Sequence, residues 1–132
     1  MHRLARFLGW PNASEATGEL RVPSDYPTIQ DAIVAAQHGD TVLVAPGIYT
    51  GPCNRGIDFL GKAITVRSEN GPEATTIDCE HRGCGFRFRS GEERDSVLEG
   101  FTIRRGRHAA YHGGRGSAFH VSNASPTIRG NV

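Results

Sequence analysis

Charged residues are unevenly spread along this 132-residue chain, and their distribution suggests a chemistry before any fold is considered. Residues 1–99 hold ten Lys or Arg against fourteen Asp or Glu, which gives a formal charge of −4. Residues 100–132 hold five Arg, three His and no acid, which gives +5. A basic surface of this kind attracts anions at low salt, acidic polysaccharides among them. The alternative is that these arginines once faced acidic residues in structural repeats that are now missing.

Other residues that could do chemistry form weaker patterns. Cys53, Cys79 and Cys84 are odd in number, so they cannot make a closed disulfide framework. Free thiols, a Cys79–Cys84 bridge and a metal site all stay open, although the spacing matches no familiar zinc module. Glu92, Glu93 and Asp95 carry oxygens that suit Ca²⁺, but the Gly and Asp positions of a calcium loop are missing.

Catalytic motifs are not visible in the sequence. No Ser-His-Asp order, phosphate loop or paired-carboxylate pattern occurs. The Gly-rich segment 106–116 holds two His, two Arg and a Tyr, which could contact a polar ligand or lie exposed in a loop. We therefore predict no cofactor and no metal, and leave open whether the protein is an enzyme.

Composition limits the elements that can position these residues. With 17 Gly and 7 Pro, the chain is too rich in helix-breaking residues for a helical bundle. No apolar run approaches the ~18–20 residues of a membrane span, and the formal net charge of +1 argues against a nucleic-acid binder. The sequence favours one soluble, turn-rich, mostly β domain at 20–132, after an extension or linker at 1–19.

One helix is predicted near the start of this domain. Apolar residues at Ile29, Ala32, Ile33 and Ala36 share one helical face. Thr28 is a plausible N-cap, and a Gly at position 39 would end a helix of about residues 29–38.

Strand patterns recur with a long period after the helix. Inward apolar pairs are predicted at 42/44, 64/66 and 86/88, each 22 residues after the last, and at 119/121. A second series repeats Thr-Ile-charged at 76–78, 102–104 and 127–129. Interleaved series of this kind are typical of a solenoid with at least two stacked parallel sheets. The predicted buried column consists of Ile64, Val66, Phe86, Phe88, Phe119, Val121, Ile77, Ile103 and Ile128, with Thr65, Arg67, Arg87 and Arg89 exposed.

Two runs of sequence resemble the opening of right-handed parallel β-helix proteins, the pectin-lyase-like superfamily. They are VPSDYPTIQDAI at 22–33 and GDTVLVAPGIY at 39–49; TIDC at 76–79, VLEGFTI at 97–103 and NASPTI at 123–128 resemble its bacterial surface members. The resemblance implies an all-β fold, a short right-handed parallel β-helix of about four coils, apparently truncated, with the helix as its N-terminal cap. It also implies an extracellular or cell-surface location, although no signal peptide is visible.

Projection of the strands gives outward rows that could bind a ligand. One row is Thr65, Arg87 and His120, a second is Arg67, Arg89 and Ser122, and a third is Asp78, Arg104 and Arg129. Asp78 beside Arg104 is expected to be a cross-strand ion pair. The candidate binding residues for an anionic saccharide are Arg67, Arg87, Arg89, Arg104, Arg129 and His120.

A non-catalytic scaffold or binding module, with acidic polysaccharide as the expected ligand, is the predicted function. About four coils leave little length for a groove and a catalytic centre. The alternative is a short form or fragment of a polysaccharide-active lyase, hydrolase or epimerase. Because no cap follows the last strands, Phe119, Val121 and Ile128 are predicted to mediate self-association into a homo-oligomer.

Overall fold

The structure, a computed structural model, describes residues 18–106 and 118–132. The predicted extension 1–19 and the loop 106–116 therefore lie almost entirely outside the described residues. The elements are, in chain order, β1 Glu19–Val22, α1 Ile29–Ala35, β2 Thr41–Val44, β3 Gly47–Tyr49, β4 Ile57–Asp58, β5 Thr65–Ser68, β6 Thr75–Asp78, β7 Phe86–Phe88, β8 Val97–Glu99, β9 Thr102–Arg104, β10 Phe119–Val121 and β11 Thr127–Arg129.

All of these strands pair in parallel, in three sheets. Sheet A has the order β1-β2-β5-β8-β11, sheet B β3-β6-β9 and sheet C β10-β7-β4. From β2 onward, successive strands join sheets A, B and C in rotation. The described part of the chain is thus mostly β, with parallel sheets and one short helix, as predicted.

The predicted 22-residue stack is wrong. Val42 pairs with Val66 in sheet A, 24 residues later, whereas Phe86 belongs to sheet C. The 22-residue spacing links strands of different sheets, because a full circuit of the three sheets takes more residues than that. The step from Phe86 to Phe119 is correct, since β7 and β10 pair in that register.

The Thr-Ile-charged series is right for two of its three members. Ile77 pairs with Ile103 in sheet B, but Ile128 pairs with Leu98 in sheet A. The same three residue types fit both sheets, because each sheet needs an apolar residue inward between two outward neighbours. Sequence similarity alone therefore could not assign the third strand to its sheet.

The core lies between the three sheets. Ile64, Val66, Ile77, Phe86 and Phe88 are buried, as predicted. The Phe59 ring packs against Phe88 at 4.6 Å between ring centroids, and Phe86 lies 5.7 Å from Phe101.

The predicted burial decreases toward the last strands. Ile103, Phe119 and Ile128 are only partly buried and pack on the core, and Val121 is 47% exposed, which corrects its place in the buried column. Among the described strands, β10 pairs only with β7.

Helix α1 begins as predicted and ends early. The Thr28 hydroxyl accepts a hydrogen bond from the Asp31 amide at 3.1 Å, which is an N-cap. The helix ends at Ala35 rather than at 38, because Ala36 is already extended. The Lys62 ammonium donates to the carbonyls of Ile33, Val34 and Ala36 at 2.7–2.8 Å. Lys62 thus satisfies carbonyls at the end of the helix, where the sequence predicts the glycine at position 39 as the C-cap.

The side chain of Gln30, on helix α1, completes the outer edge of sheet C. Its Nε2 donates to the Asp58 carbonyl at 3.0 Å, and its Oε1 accepts from the Asp58 amide at 2.8 Å. The amide thus makes the two bonds that a further strand would make to β4. No helix in the described ranges is long and apolar enough to cross a membrane.

Candidate functional site

Three of the predicted binding residues meet on the outer side of sheet C. Arg87 pairs with Asp58 on one side and with His120 on the other, so these three lie on adjacent strands. Arg89 follows two residues after Arg87 and points to the same side. We call Asp58, Arg87, Arg89 and His120 the sheet C face.

Arg87 is positioned by a glycine. Its guanidinium lies over Gly56, where an added Cβ would be 3.5 Å from the nearest guanidinium nitrogen. Gly56 has φ +55°, a conformation that disfavours a side chain on steric grounds as well. Arg87 is half-buried, and its guanidinium makes no hydrogen bond or ion pair with any residue in 18–106 or 118–132. Its donors are therefore held in place and available to a ligand.

Arg89 and Asp58 form a neighbouring ion pair. The Arg89 Nε lies 2.9 Å from Asp58 Oδ2, and Asp58 Oδ1 accepts from the Leu60 amide at 2.9 Å. Arg89 remains 53% exposed while Asp58 is only 13% exposed. Because Asp58 is already paired with Arg89, no acidic residue in 18–106 or 118–132 pairs with Arg87.

The other predicted site residues lie on other sheets. Arg67 pairs with Leu43 and Glu99 in sheet A, and not with Arg89, so the predicted row of Arg67, Arg89 and Ser122 is wrong. Arg129 lies beside Glu99, with 3.0 Å between Nε and Oε2, rather than beside Arg104.

The prediction that Thr65 lies in one row with Arg87 and His120 is also wrong. Thr65 pairs with Thr41 and Val97 in sheet A, and it is not a neighbour of Arg87. The error has the same cause as the 22-residue stack, since residues of sheets A and C were placed in one sheet.

Asp78 and Arg104 are neighbours in sheet B, as predicted. The closer partner of Asp78 is Arg105, whose Nε and second terminal nitrogen reach the two carboxylate oxygens at 2.8 and 2.6 Å. A terminal guanidinium nitrogen of Arg104 lies 3.6 Å from Asp78 Oδ2. The hydrogen bonds from Arg105 lower the pKa of Asp78 from 3.8 to about 2, while burial opposes them. This carboxylate is an ion-pair partner and is not available as a base near neutral pH.

The candidate calcium ligands do not form a metal site. Glu92 is buried, and its two oxygens accept from the amides of Gly61 and Ser90, both at 2.9 Å. Glu93 and Asp95 are exposed. Within the described ranges no group of three or more His, Cys, Asp or Glu could hold a metal ion.

All three cysteines are free thiols. Cys53 is exposed, whereas Cys79 and Cys84 are buried. Burial, helped by the neighbouring Cys84 and Asp78, raises the pKa of Cys79 to about 11. The structure thus contains no Cys79–Cys84 bridge, and Cys79 is a protonated core residue.

Sequence reasoning missed Asp58, Gly56 and Arg105. Strand β4 is only two residues long, too short to be detected by alternation. Arg105 has φ +55°, which turns its side chain back to Asp78 and away from the alternating pattern of β9. A search for Gly one residue before a short apolar-acidic pair would have found residues 56–58.

Comparison with known proteins adds no assignment to this geometry. No family model, no curated protein and no solved structure matches the chain. The functional argument therefore depends on the residues of the sheet C face.

Proposed function

We propose that this chain is a short right-handed parallel β-helix of the pectin-lyase-like type, with about four coils, that acts as a non-catalytic binding module. Rotation of successive strands through sheets A, B and C supports this, because one passage through the three sheets would be one coil. Like units stacked in this way bury a continuous core between them, which is the principle of a solenoid. Helix α1, at the first edge of sheet C, would be the N-terminal cap.

The proposed ligand of the sheet C face is an acidic polysaccharide, and the observation that carries the proposal is that the Arg87 guanidinium has no hydrogen bond or ion pair with a described residue. A planar guanidinium with free donors matches a carboxylate with two parallel hydrogen bonds. Contact with Gly56 holds it in position, so less conformational freedom is lost on binding. Strands in a sheet lie about 4.8 Å apart, so His120 would stand one strand further along a linear polymer.

Binding is favoured over cleavage by the state of the nearby carboxylate. A polysaccharide-cleaving enzyme needs a group free to take or give a proton at the sugar. Both Asp58 oxygens are occupied, by Arg89 and by the Leu60 amide. We therefore expect no depolymerisation of pectate or alginate, with or without Ca²⁺. A measurable rate that disappears in Arg87→Ala or Arg104→Ala would favour the enzyme alternative instead.

Calorimetric titration with pectate oligomers at low salt tests the binding site. We expect Arg87→Gln to weaken binding by about tenfold or more, the usual scale for loss of a charged hydrogen bond. Added NaCl should weaken wild-type binding, because exposed charge pairs are screened.

Arg67→Gln is the matched control. Arg67 is also half-buried and without an ion pair in the described ranges, but it lies on sheet A. Its loss removes the same charge and should leave affinity close to that of wild type. Equal weakening by both variants would show that binding follows the net charge of the molecule, and the sheet C face would not be the site.

A further inference from the structure

A cleft of about 560 Å³ opens beside the first residues of three sheet A strands. It is lined by His38 and Asp40 before β2, by Thr65 at the start of β5, and by Arg94 and Asp95 before β8. Its volume lies within the ~300–1,000 Å³ typical of small-molecule sites. None of these residues belongs to the sheet C face.

A firmly anchored turn carries Arg94 and Asp95, two of the charged residues of the cleft. The Ser96 amide donates to the Glu93 carbonyl at 2.9 Å, which places Arg94 and Asp95 at the centre of the turn. The Ser96 hydroxyl donates to the Lys62 carbonyl at 2.7 Å, and the Thr127 hydroxyl donates to the Arg94 carbonyl at 2.8 Å. These bonds fix the turn backbone against the strands on both sides.

The side chains of this turn have unused hydrogen-bonding capacity. Arg94 and Asp95 are exposed, and neither side chain bonds or ion-pairs with any residue in the described ranges. The cleft therefore offers a guanidinium and a carboxylate from two consecutive residues of an anchored turn.

His38 adds a hydrogen-bond donor to the lining of the cleft. Its Nδ1 accepts from the Ala63 amide at 2.9 Å, and the Gly39 amide donates to the Ala63 carbonyl at 2.8 Å. With Nδ1 occupied as an acceptor, the neutral ring carries its proton on Nε2 and can donate it to a ligand. Asp40 is already occupied, since its carboxylate accepts from the amides of Gly18 and Gln37.

We propose that this cleft binds a small carboxylic acid that bears an amino or hydroxyl group on the adjacent carbon. Arg94 and the His38 Nε2–H bind the ligand carboxylate, and Asp95 accepts from the neighbouring amine or hydroxyl. A plain carboxylate leaves Asp95 unmatched, and a plain amine leaves Arg94 unmatched. The site is independent of the polysaccharide proposal.

Titration of the ¹⁵N-labelled wild-type chain, followed by NMR, tests the ligand class. The probes are glycine, glycolate and acetate. We expect glycine or glycolate to shift the amide signals of Ala63, Asp95 and Val97. The ligand that binds more tightly shows whether Asp95 prefers an amine or a hydroxyl as its donor. Acetate should bind about tenfold more weakly, because it cannot pair with Asp95.

Point variants test the assigned contacts. Arg94→Gln and Asp95→Asn should each weaken binding by about tenfold or more, whereas Arg82→Gln, which alters another exposed arginine without an ion pair in the described ranges, should not. Arg87→Gln should also leave this binding unchanged, which separates it from the sheet C face. Absence of shifts with both glycine and glycolate at millimolar concentration, or full affinity in Arg94→Gln, would overturn the proposal.

Discussion

Arg87 and Asp78 are both charged residues of parallel strands, but their surroundings give them opposite roles. Asp78 is buried and held by Arg105 and Arg104, so its charge is fully matched. Arg87 has no such partner in the described ranges and lies flat over Gly56. At the scale of single residues, Asp78 is thus part of an ion pair within the fold, whereas Arg87 is the residue that we propose for binding.

The ion pair of Asp78 should make stability depend on acidity in a defined window. Its pKa is lowered in the folded state from 3.8 to about 2, chiefly by the hydrogen bonds from Arg105. The folded state therefore binds the proton less readily than the unfolded state does. The contribution of Asp78 is complete above about pH 4 and is lost as the pH falls toward 2.

Urea denaturation between pH 2 and 7 measures this effect. We expect Asp78→Asn to lower the free energy of unfolding at pH 7 and to flatten its decline below pH 4. Glu73→Gln, which alters an exposed carboxylate without an ion pair in the described ranges, is the control and should keep the wild-type slope. An unchanged slope in Asp78→Asn would mean that other carboxylates govern the acid response.

At the scale of elements, helix α1 and sheet C are joined through one amide. Gln30 satisfies both the N–H and the C=O of Asp58, on the outer edge of β4. Gln30→Met keeps the length of the side chain and removes both bonds. We expect a loss of about 1–2 kcal/mol in the free energy of unfolding, because two partly buried backbone groups lose their partner. Thermal and urea denaturation measure it.

Gln37→Met is the control for this variant. Gln37 is exposed, and its side chain makes no hydrogen bond in the described ranges. The control should stay within about 0.5 kcal/mol of wild type, as surface substitutions usually do. Equal losses in both variants would show that the effect comes from placing a Met at the surface and not from the two bonds at the edge of sheet C.

Elements were predictable where their signal is local. The N-cap at Thr28 follows from residue types, and β9 and β11 have the bounds of the predicted Thr-Ile-charged segments. Strand β4 and the assignment of strands to sheets were not predictable, because they depend on how many residues each turn uses. Arg87 and His120 were placed side by side correctly, but Asp58 and Gly56 complete the site through a strand of two residues.

At the scale of the whole molecule, the last strand of each sheet differs from the first. Phe119 and Ile128 are only partly buried, and Val121 is 47% exposed on a strand with one described partner. Such an edge can accept a strand from another chain. We expect the chain to self-associate through this surface, more strongly at higher salt, because nearby arginines repel each other less when screened.

Light scattering at several protein and salt concentrations tests self-association. Val121→Lys should shift the population toward monomer. Ile48→Lys is the control, because Ile48 is 64% exposed on β3, which is the first strand of sheet B and not one of the last strands. A strict monomer at high micromolar concentration in the wild-type chain would contradict the expectation.

The edge of β4 completed by Gln30 also makes the two ends of the stack of strands different, which has a consequence for the order of folding and unfolding. Each strand pairs with strands one circuit away in sequence, no further than the 33 residues between Phe86 and Phe119. Because each circuit contacts only its neighbours, structure that has formed at one place can spread one circuit at a time. We expect the end that Gln30 completes to form first, because helix α1 already satisfies the outer edge of β4 there, and each later circuit then adds to strands already in place. When a pulling force is applied at Val132, we expect the passages through the three sheets to unfold one at a time, beginning with the C-terminal one.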